Sequence, residues 1–591
     1  MCGLAALLDR TGHGVDRAAL ARMTDRIASR GPDGEGTWVA PDGRAALAHR
    51  RLAIIDLSEE AAQPMASADG RLVVALNGEL YNYRALRAAL EEDGCVFRTA
   101  SDTEVLLHGY RRYGADVVHR LRGMYAFVLW DAEKRGLLLA RDPYGIKPLY
   151  VADDGRQFHA ASQVKALLAG GRVDTAEEPA GHAGFFLWGH VPEPFTLYRG
   201  IRALPAGHSL WVDAGPPRAP EPFASIPEVL TASERAGSKA DAREELRDAL
   251  LDSVRHHLVA DVPVGVFLSA GLDSATVAAL AAESGSAPRT VTLGFAEYRG
   301  TANDEVPLAE ALAEYLGAHH TTVWVTRDDF GEARAHVLDQ MDQPTLDGVN
   351  TYFVSRAARE AGLKVALSGV GGDELFGGYP SFRQVPRLVR AARRVPVGAG
   401  RGVRTLAAPL AARLTSPKAA GLLEYGSDYA GAYLLRRALF MPWELPQVLG
   451  ADFAREGLAA LAPRECLAET AGSVTVPALK VTALESCWYL RNQLLRDTDW
   501  AGMAHGVEVR TPLVDWTLLR RVAPLRAAHP GVGKQAMAAT PARPLPEALQ
   551  RRPKTGFQVP IRDWLWAGGA APAERGLRGW ARTVYAAYTA P

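Results

Sequence analysis

Residues 262–283, VPVGVFLSAGLDSATVAALAAE, decide the fold of the second half of this chain. The first part is an apolar, β-branched run of strand length. The last part, SATVAALAAE, has helical composition. A glycine turn joins them, as in a β-α unit. The pattern then recurs. TVTLGF (290–295) reads as a strand, EVPLAEALAEYLG (305–317) as a helix, TTVWV (321–325) as a strand, and KVALSG (364–369) as another. A helix is also expected over about 241–258. Strands alternating with helices predict a doubly wound parallel sheet. From about residue 381 onward the chain reads as mainly helical.

Upstream the texture differs. RLVVALNGELYN (71–82), GMYAFVLWD (123–131) and GLLLARDPYGIKPLYVA (136–152) are short apolar runs broken by Gly, Pro, Asn and Asp. They read as strands and turns, with helices such as YRALRAALEEDG (83–94) packed on them. Between the halves, GPPRAPEPFASIP (215–227) is Pro-rich and TASERAGSKA (231–240) is small and polar. The expected division is therefore 2–212, a linker at 213–240, and 241–591.

With 591 residues the chain is too long for one core. Lys plus Arg and Asp plus Glu are 67 each, so no overall field favours nucleic acid or an anionic membrane. The Arg-rich stretch 383–413 interleaves Ala and Leu and reads as a solvated helical face. Cys2, Cys95, Cys466 and Cys487 show no CxxC spacing, so neither a zinc site nor a disulfide framework is expected. A reducing, cytoplasmic setting fits. MCGLAALLDR lacks the basic start of a signal peptide, and no run reaches membrane-span length.

The loop in the opening stretch carries chemistry. Ser269, Ala270, Gly271, Leu272, Asp273 and Ser274 join a strand to a helix, and small residues there let backbone N–H groups approach phosphates. Asp273 makes sense in an anion site only if a Mg²⁺ joins it to pyrophosphate. The same loop also reads as a plain glycine turn capped by Ser274. It lacks the GxxxxGK[ST] pattern of γ-phosphate transfer. LSGVGGDELFGGYPSF (367–382) places Ser368 and Gly369 at a strand's carboxyl end, where such sheets bind ligands, and offers Asp373 as a second metal ligand.

At the other end, Cys2 becomes the first residue once Met1 is removed. Its thiol and its own α-amine, with a pKa of roughly 8, then share one carbon, and the amine can act as base. Alone, Cys2 reads as a small apolar residue. Asn77 and Gly78 follow a strand and can donate to an oxyanion, although Asn-Gly is also a common turn. Arg51, in HRRLAIID, and Asp102, in SDTE, supply the charges that match a free amino acid.

MCGLAA, SRGPDGEG, AHRRLAIIDL, AQPM, NGELYNY, SDTE, GMYAFVLWD and RDPYGIKPLY run in order through the first 150 residues. They resemble the class II, N-terminal-nucleophile glutamine amidotransferases, whose domain is an αββα sandwich. The resemblance implies that Cys2 attacks the glutamine amide and that Asn77 and Gly78 form the oxyanion hole. It implies that Arg51 holds the substrate carboxylate and Glu79 and Asp102 its ammonium, with Ile55 also contacting glutamine. The 269–274 loop resembles the SGGLDSS loop of ATP-pyrophosphatases, with Ala270 and Ala275 as departures. LLRDTDWAGMAHGVEVRTPLVD (494–515) and RRPKTGFQVPIRDWL (551–565) are further family words. Together the halves resemble the glutamine-hydrolysing asparagine synthetases. By that resemblance Leu268, Ser269, Gly271, Asp273, Ser274, Leu293, Ser368, Gly369 and Lys554 contact ATP, and Asp273 and Asp373 hold Mg²⁺. It also implies a dry internal passage for ammonia and a homodimer.

The chemistry implied is activation of a carboxylate as its adenylate, followed by attack of ammonia. Aspartate is the first expected acceptor. Val370, however, stands where the family has Glu, in SGEGxDE, and it carries neither charge nor proton. A different carboxylate, as in amidotransferases of specialised metabolism, is therefore the alternative. Intramolecular amide formation is a third reading, disfavoured by the complete set Cys2, Arg51, Asn77 and Asp102. A scaffold without activity is a fourth. Gln163, where Glu is usual, predicts only a local change.

Overall fold

In a computed structural model the described residues are 2–236, 241–285, 287–394, 400–405, 417–552, 560, 564 and 577–589. Among them the amino-terminal half is built on two six-stranded antiparallel sheets. The first has Gly3–Asp9 at its centre, between Ala45–Arg51 and Gln157–Ala161. The second has Gly123–Asp131 at its centre, between Leu72–Leu80 and Gly136–Arg141.

Strand alternation explains the layering. Leu4, Ala6 and Leu8 join Val73, Ala75 and Val128 in the core between the sheets. Ala5 and Leu7, on the opposite face, pack with Leu20, Met23 and Leu167 from the helices Arg17–Arg26 and Val164–Gly170. Tyr83–Glu92 and Asp102–Tyr113 cover the other sheet, whose outward residues share a core with Leu90, Leu106 and Tyr110. Helix, sheet, sheet, helix is the αββα order expected from the sequence.

The second half has one five-stranded, all-parallel sheet in the order His319–Val325, Arg289–Phe295, Val264–Phe267, Val365–Leu367, Glu508–Arg510. Leu272–Glu283 follows Val264–Phe267 directly, as its sequence requires. From Ser381 onward the regular elements among the described residues are helices, apart from the strand Glu508–Arg510. Glu485–Leu495 winds as a π-helix, a form that is rare at such length. No described helix is long and apolar enough to cross a membrane.

The segment read as a linker is partly built into both halves. Glu221–Pro222 pairs with His208–Val212 on the second sheet. Ile226–Ala236 packs against Trp516–Ala528. Buried ion pairs cross between the halves. Arg30 donates twice to Asp499, at 2.7 and 3.0 Å, and both side chains are buried. Arg122 donates to Asp515 at 2.9 and 3.1 Å.

Candidate functional site

Each half brings together a cluster of the residues singled out in its sequence. In the first, Cys2 leads into the central strand and is 6% exposed. Its backbone nitrogen donates to Asn77 Oδ1 at 3.1 Å. Asn77 lies on Leu72–Leu80, fully buried, and its Nδ2 makes no hydrogen bond among the described residues. A buried amide donor left unmade is costly, and it is therefore a ready donor for a substrate oxygen. Gly78 is fixed by close approach, since a Cβ there would lie 2.0 Å from the Met124 carbonyl on the neighbouring strand. Burial pushes the Cys2 thiol above its usual pKa, so a nearby base is required to make the thiolate.

Arg51 binds the loop beside it, donating to the carbonyls of Ser58, at 2.8 Å, and Asp56. Ile55 lies buried in that loop. Asp102 caps the end of the Asn77 strand, accepting from Leu80 N at 2.9 Å, and burial raises its carboxyl to about 6. Burial, with Glu508 and then Asp102 nearby, also raises Glu79 well above the usual carboxylate range. One Glu79 oxygen makes no hydrogen bond among the described residues and lies 3.7 Å from Arg510 Nη2.

Glu508 and Arg510 belong to the other half. Arg510 Nε donates to Glu508 at 2.6 Å, and both are fully buried against the first site. Sequence reasoning singled out neither. HGVEVR was noted only as a family word, and no local pattern shows that these charges turn back toward residues more than 400 positions upstream.

In the second half, the loop 269–274 is wound on its own hydroxyls. Ser269 Oγ and Ser274 Oγ are 2.8 Å apart, Gly271 N donates to Ser269 Oγ at 3.2 Å, and Ser274 Oγ donates to the Ser269 carbonyl at 3.1 Å. Leu268 and Leu293 are buried beneath it, joined through the Thr292 hydroxyl, which donates to the Leu268 carbonyl. Gly369 lies so close that a Cβ would stand 2.7 Å from Ser274 N. Ser368 N donates to the Arg510 carbonyl at 2.8 Å.

Asp273 and Asp373 converge on one ammonium, that of Lys534, which stands 2.7 Å from Asp373 Oδ1 and also contacts Asp273. Against its burial, the two carboxylates raise the Lys534 pKa. The sequence reading named Lys554 as the cation here. Lys554 lies outside the described residues, and the lysine observed is Lys534, in GVGKQAMA. Its five-residue helix, Lys534–Ala538, carries no pattern that would single it out. Among the described residues no three His, Cys, Asp or Glu side chains cluster to hold a metal. Two carboxylates from separate loops beside a phosphate-binding turn nevertheless suit Mg²⁺, which takes few protein ligands and completes its shell with phosphate and water.

Three residues before Asp373 in the chain, Val370 is half-buried and packs on the core. Glu374 accepts from the Tyr379 hydroxyl at 2.9 Å and is raised to about 8 by burial and then by Asp373. Arg437 lies 4.5 Å over the Tyr379 ring and 3.7 Å over the Tyr489 ring, and pairs with buried Glu485 at 2.8 Å.

Comparison with known proteins is consistent across both halves. Residues 1–222 match the glutamine amidotransferase domain family, and residues 245–583 match the asparagine synthase family. A protein of Mycobacterium tuberculosis (strain H37Rv), provisionally named a glutamine-hydrolysing asparagine synthetase, is 35% identical over 96% of this chain and 89% of its own length. Asparagine synthetase (glutamine-hydrolysing) 1 of Bacillus subtilis is 30% identical over 96% and 88%. Amidase chry2 of Gibberella zeae is 30% identical over 65% of this chain and 60% of its own.

Proposed function

We propose, for a chain that belongs to the asparagine synthase family and is an ATP-dependent amidotransferase, that it moves the amide nitrogen of glutamine onto a carboxylate activated as an acyl-adenylate. Aspartate is the acceptor proposed first. The observation that carries the reading is the meeting of Asp273, Asp373 and Lys534 at the carboxyl end of the parallel sheet, with a thiol and amide pair in the other half.

The steps follow from the residues. Removal of Met1 turns the Cys2 nitrogen, already held by Asn77 Oδ1, into a free amine beside the thiol. That amine takes the thiol proton, and the sulfur attacks the glutamine amide carbon. Asn77 Nδ2 and the Gly78 N–H receive the oxyanion, ammonia leaves, and water cleaves the thioester. Arg51 and the Glu79–Asp102 pair orient the amino acid by its two charges. In the second half ATP is a substrate. The 269–274 loop and Ser368–Gly369 cradle its phosphates, and Lys534 takes up negative charge on the departing pyrophosphate. Mg²⁺, held by Asp273 and Asp373, would supply further charge neutralisation there. Ammonia reaching this site through the interior displaces AMP and gives the amide.

A second reading rests on Val370. An apolar side chain at that position favours an acceptor less polar than aspartate, and a relative bears the name amidase rather than asparagine synthetase. One assay separates the two. With glutamine, ATP, Mg²⁺ and saturating aspartate, asparagine and AMP should form together. Glutaminase activity without asparagine would remove aspartate, and pyrophosphate release across a carboxylate panel would then identify the acceptor.

A further inference from the structure

A cavity of about 250 Å³ opens at the seam between the halves and shares no lining residue with either site. Its walls come from Arg17–Arg26 and Val164–Gly170 on one side. On the other they come from Arg327–Gln340, the loop after it, and the carboxyl-terminal helix Arg578–Thr589.

Its lining is chemically mixed. Lys165 is buried, and its ammonium donates to the backbone carbonyls of Asp339 and Gln340 at 3.2 and 3.3 Å. The two carbonyls take two of its three N–H groups and supply no counter-charge. The nearest carboxylate, Asp342, is turned to the Val164 and Lys165 N–H groups, and burial raises its pKa. Burial accordingly pulls Lys165 down to about 8. At the mouth Arg26 pairs with Asp339 at 2.7 Å, both half-exposed. Gln343 is 2% exposed, donates to the Tyr150 hydroxyl at 3.1 Å, and leaves its Oε1 without a partner among the described residues. With its nitrogen turned to the Tyr150 hydroxyl, the amide presents its oxygen as the unmet acceptor. Leu168 and Leu338 supply apolar wall.

We propose that this cavity binds a small zwitterion of amino-acid size. Lys165 and Arg26 take its carboxylate, Gln343 Oε1 accepts from its ammonium, and its side chain lies between Leu168 and Leu338. The size follows from the volume, which is below that of ordinary drug-sized pockets. The pairing of charges follows from a lining that offers both signs and one unmet acceptor. A nucleotide would overfill the space and leave its phosphates facing Asp339 and Asp342.

The loop that forms the floor of the cavity belongs to the synthetase half and is bonded to both halves. Leu346 N donates to the Gly189 carbonyl at 3.0 Å, and the Thr345 hydroxyl donates to buried Asp497 at 2.9 Å. A ligand on Gln343 therefore bears on the same short stretch of chain, and any coupling it exerts is returned to it by linkage.

Calorimetric titration of the full chain with each standard amino acid, without ATP, tests the site. L-Leucine is the probe that the wall residues favour. Saturable binding is expected, weakened about tenfold or more in Lys165→Met and in Leu338→Trp, as loss of one charge-assisted contact or of the space predicts. The amine-free analogue 4-methylpentanoate should bind about tenfold more weakly than leucine by the same reasoning. Glutaminase activity should be unchanged in both variants. Leu338 is half-exposed, so its variant remains informative if Lys165→Met folds poorly. The proposal is overturned if no amino acid binds, if both variants leave all binding intact, or if the amine-free acid binds as well as leucine.

Discussion

The two sites are built on opposite plans. The proposed glutamine site is set into strands. Asn77, Gly78 and Glu79 are successive residues of one buried strand, and Cys2 leads into another. The nucleotide site is made of loops at the ends of strands, with a lysine ammonium lying between its two carboxylates. Strand-borne donors need no rearrangement to meet a substrate. In the loop site, the Lys534 ammonium would have to yield if Asp273 and Asp373 are to hold Mg²⁺, as proposed above. The first site is preorganised for one fixed ligand, and the second is assembled around its ligands.

The sharpest way to break this contrast is to remove the thiol. Cys2→Ala should lower glutamine-dependent amide formation by about 1,000-fold or more while leaving ammonia-dependent formation intact. Amide yield with each nitrogen source is the measurement. Equal loss with both sources would mean that the two plans are not separable. The reciprocal variant, Lys534→Ala, should slow pyrophosphate release about 100- to 1,000-fold, the usual cost of one preorganised charge, with glutaminase activity retained.

The junction itself is a third test. Arg30→Met removes the paired guanidinium of buried Asp499 and leaves it only Lys147 at 4.0 Å, which costs about 3–5 kcal/mol, read as a lowered midpoint in thermal unfolding. If the midpoint does not move, the buried pair does not hold the halves together. The smallest expected effect belongs to Asp102. Its folded pKa of about 6 lies above the ordinary aspartate value of about 3.9. The folded state therefore binds more protons between those values, and stability falls as pH rises through that window, at up to about 1.4 kcal/mol per unit, then levels off. Asp102→Asn should flatten that slope in denaturant titrations at successive pH values. An unchanged slope would assign the proton to another group.

Much of the fold was legible because it is local. The apolar run in Leu72–Leu80 and the run VGVFLSAGLDS each specify their own geometry within a few residues. Cys2, Asn77 and Asp102 were recoverable because each lies in a distinctive word near the start. Lys534 and Arg510 were not, for a physical reason. Their roles come from contacts 261 and 431 positions away, at Asp273 and Glu79, which no periodicity records. Lys554, named from its neighbours in sequence, lies outside the described residues.

The strand Glu508–Arg510 faces both ways. Its backbone receives Ser368 of the nucleotide loop, and its side chains finish the pocket around Glu79. On the ribosome, the glutaminase half emerges long before residue 510. Until that strand docks, Glu79 lacks its guanidinium neighbour, and the half that liberates nitrogen is incomplete. The order of synthesis thus holds the supplier of ammonia unfinished until most of its consumer has been made.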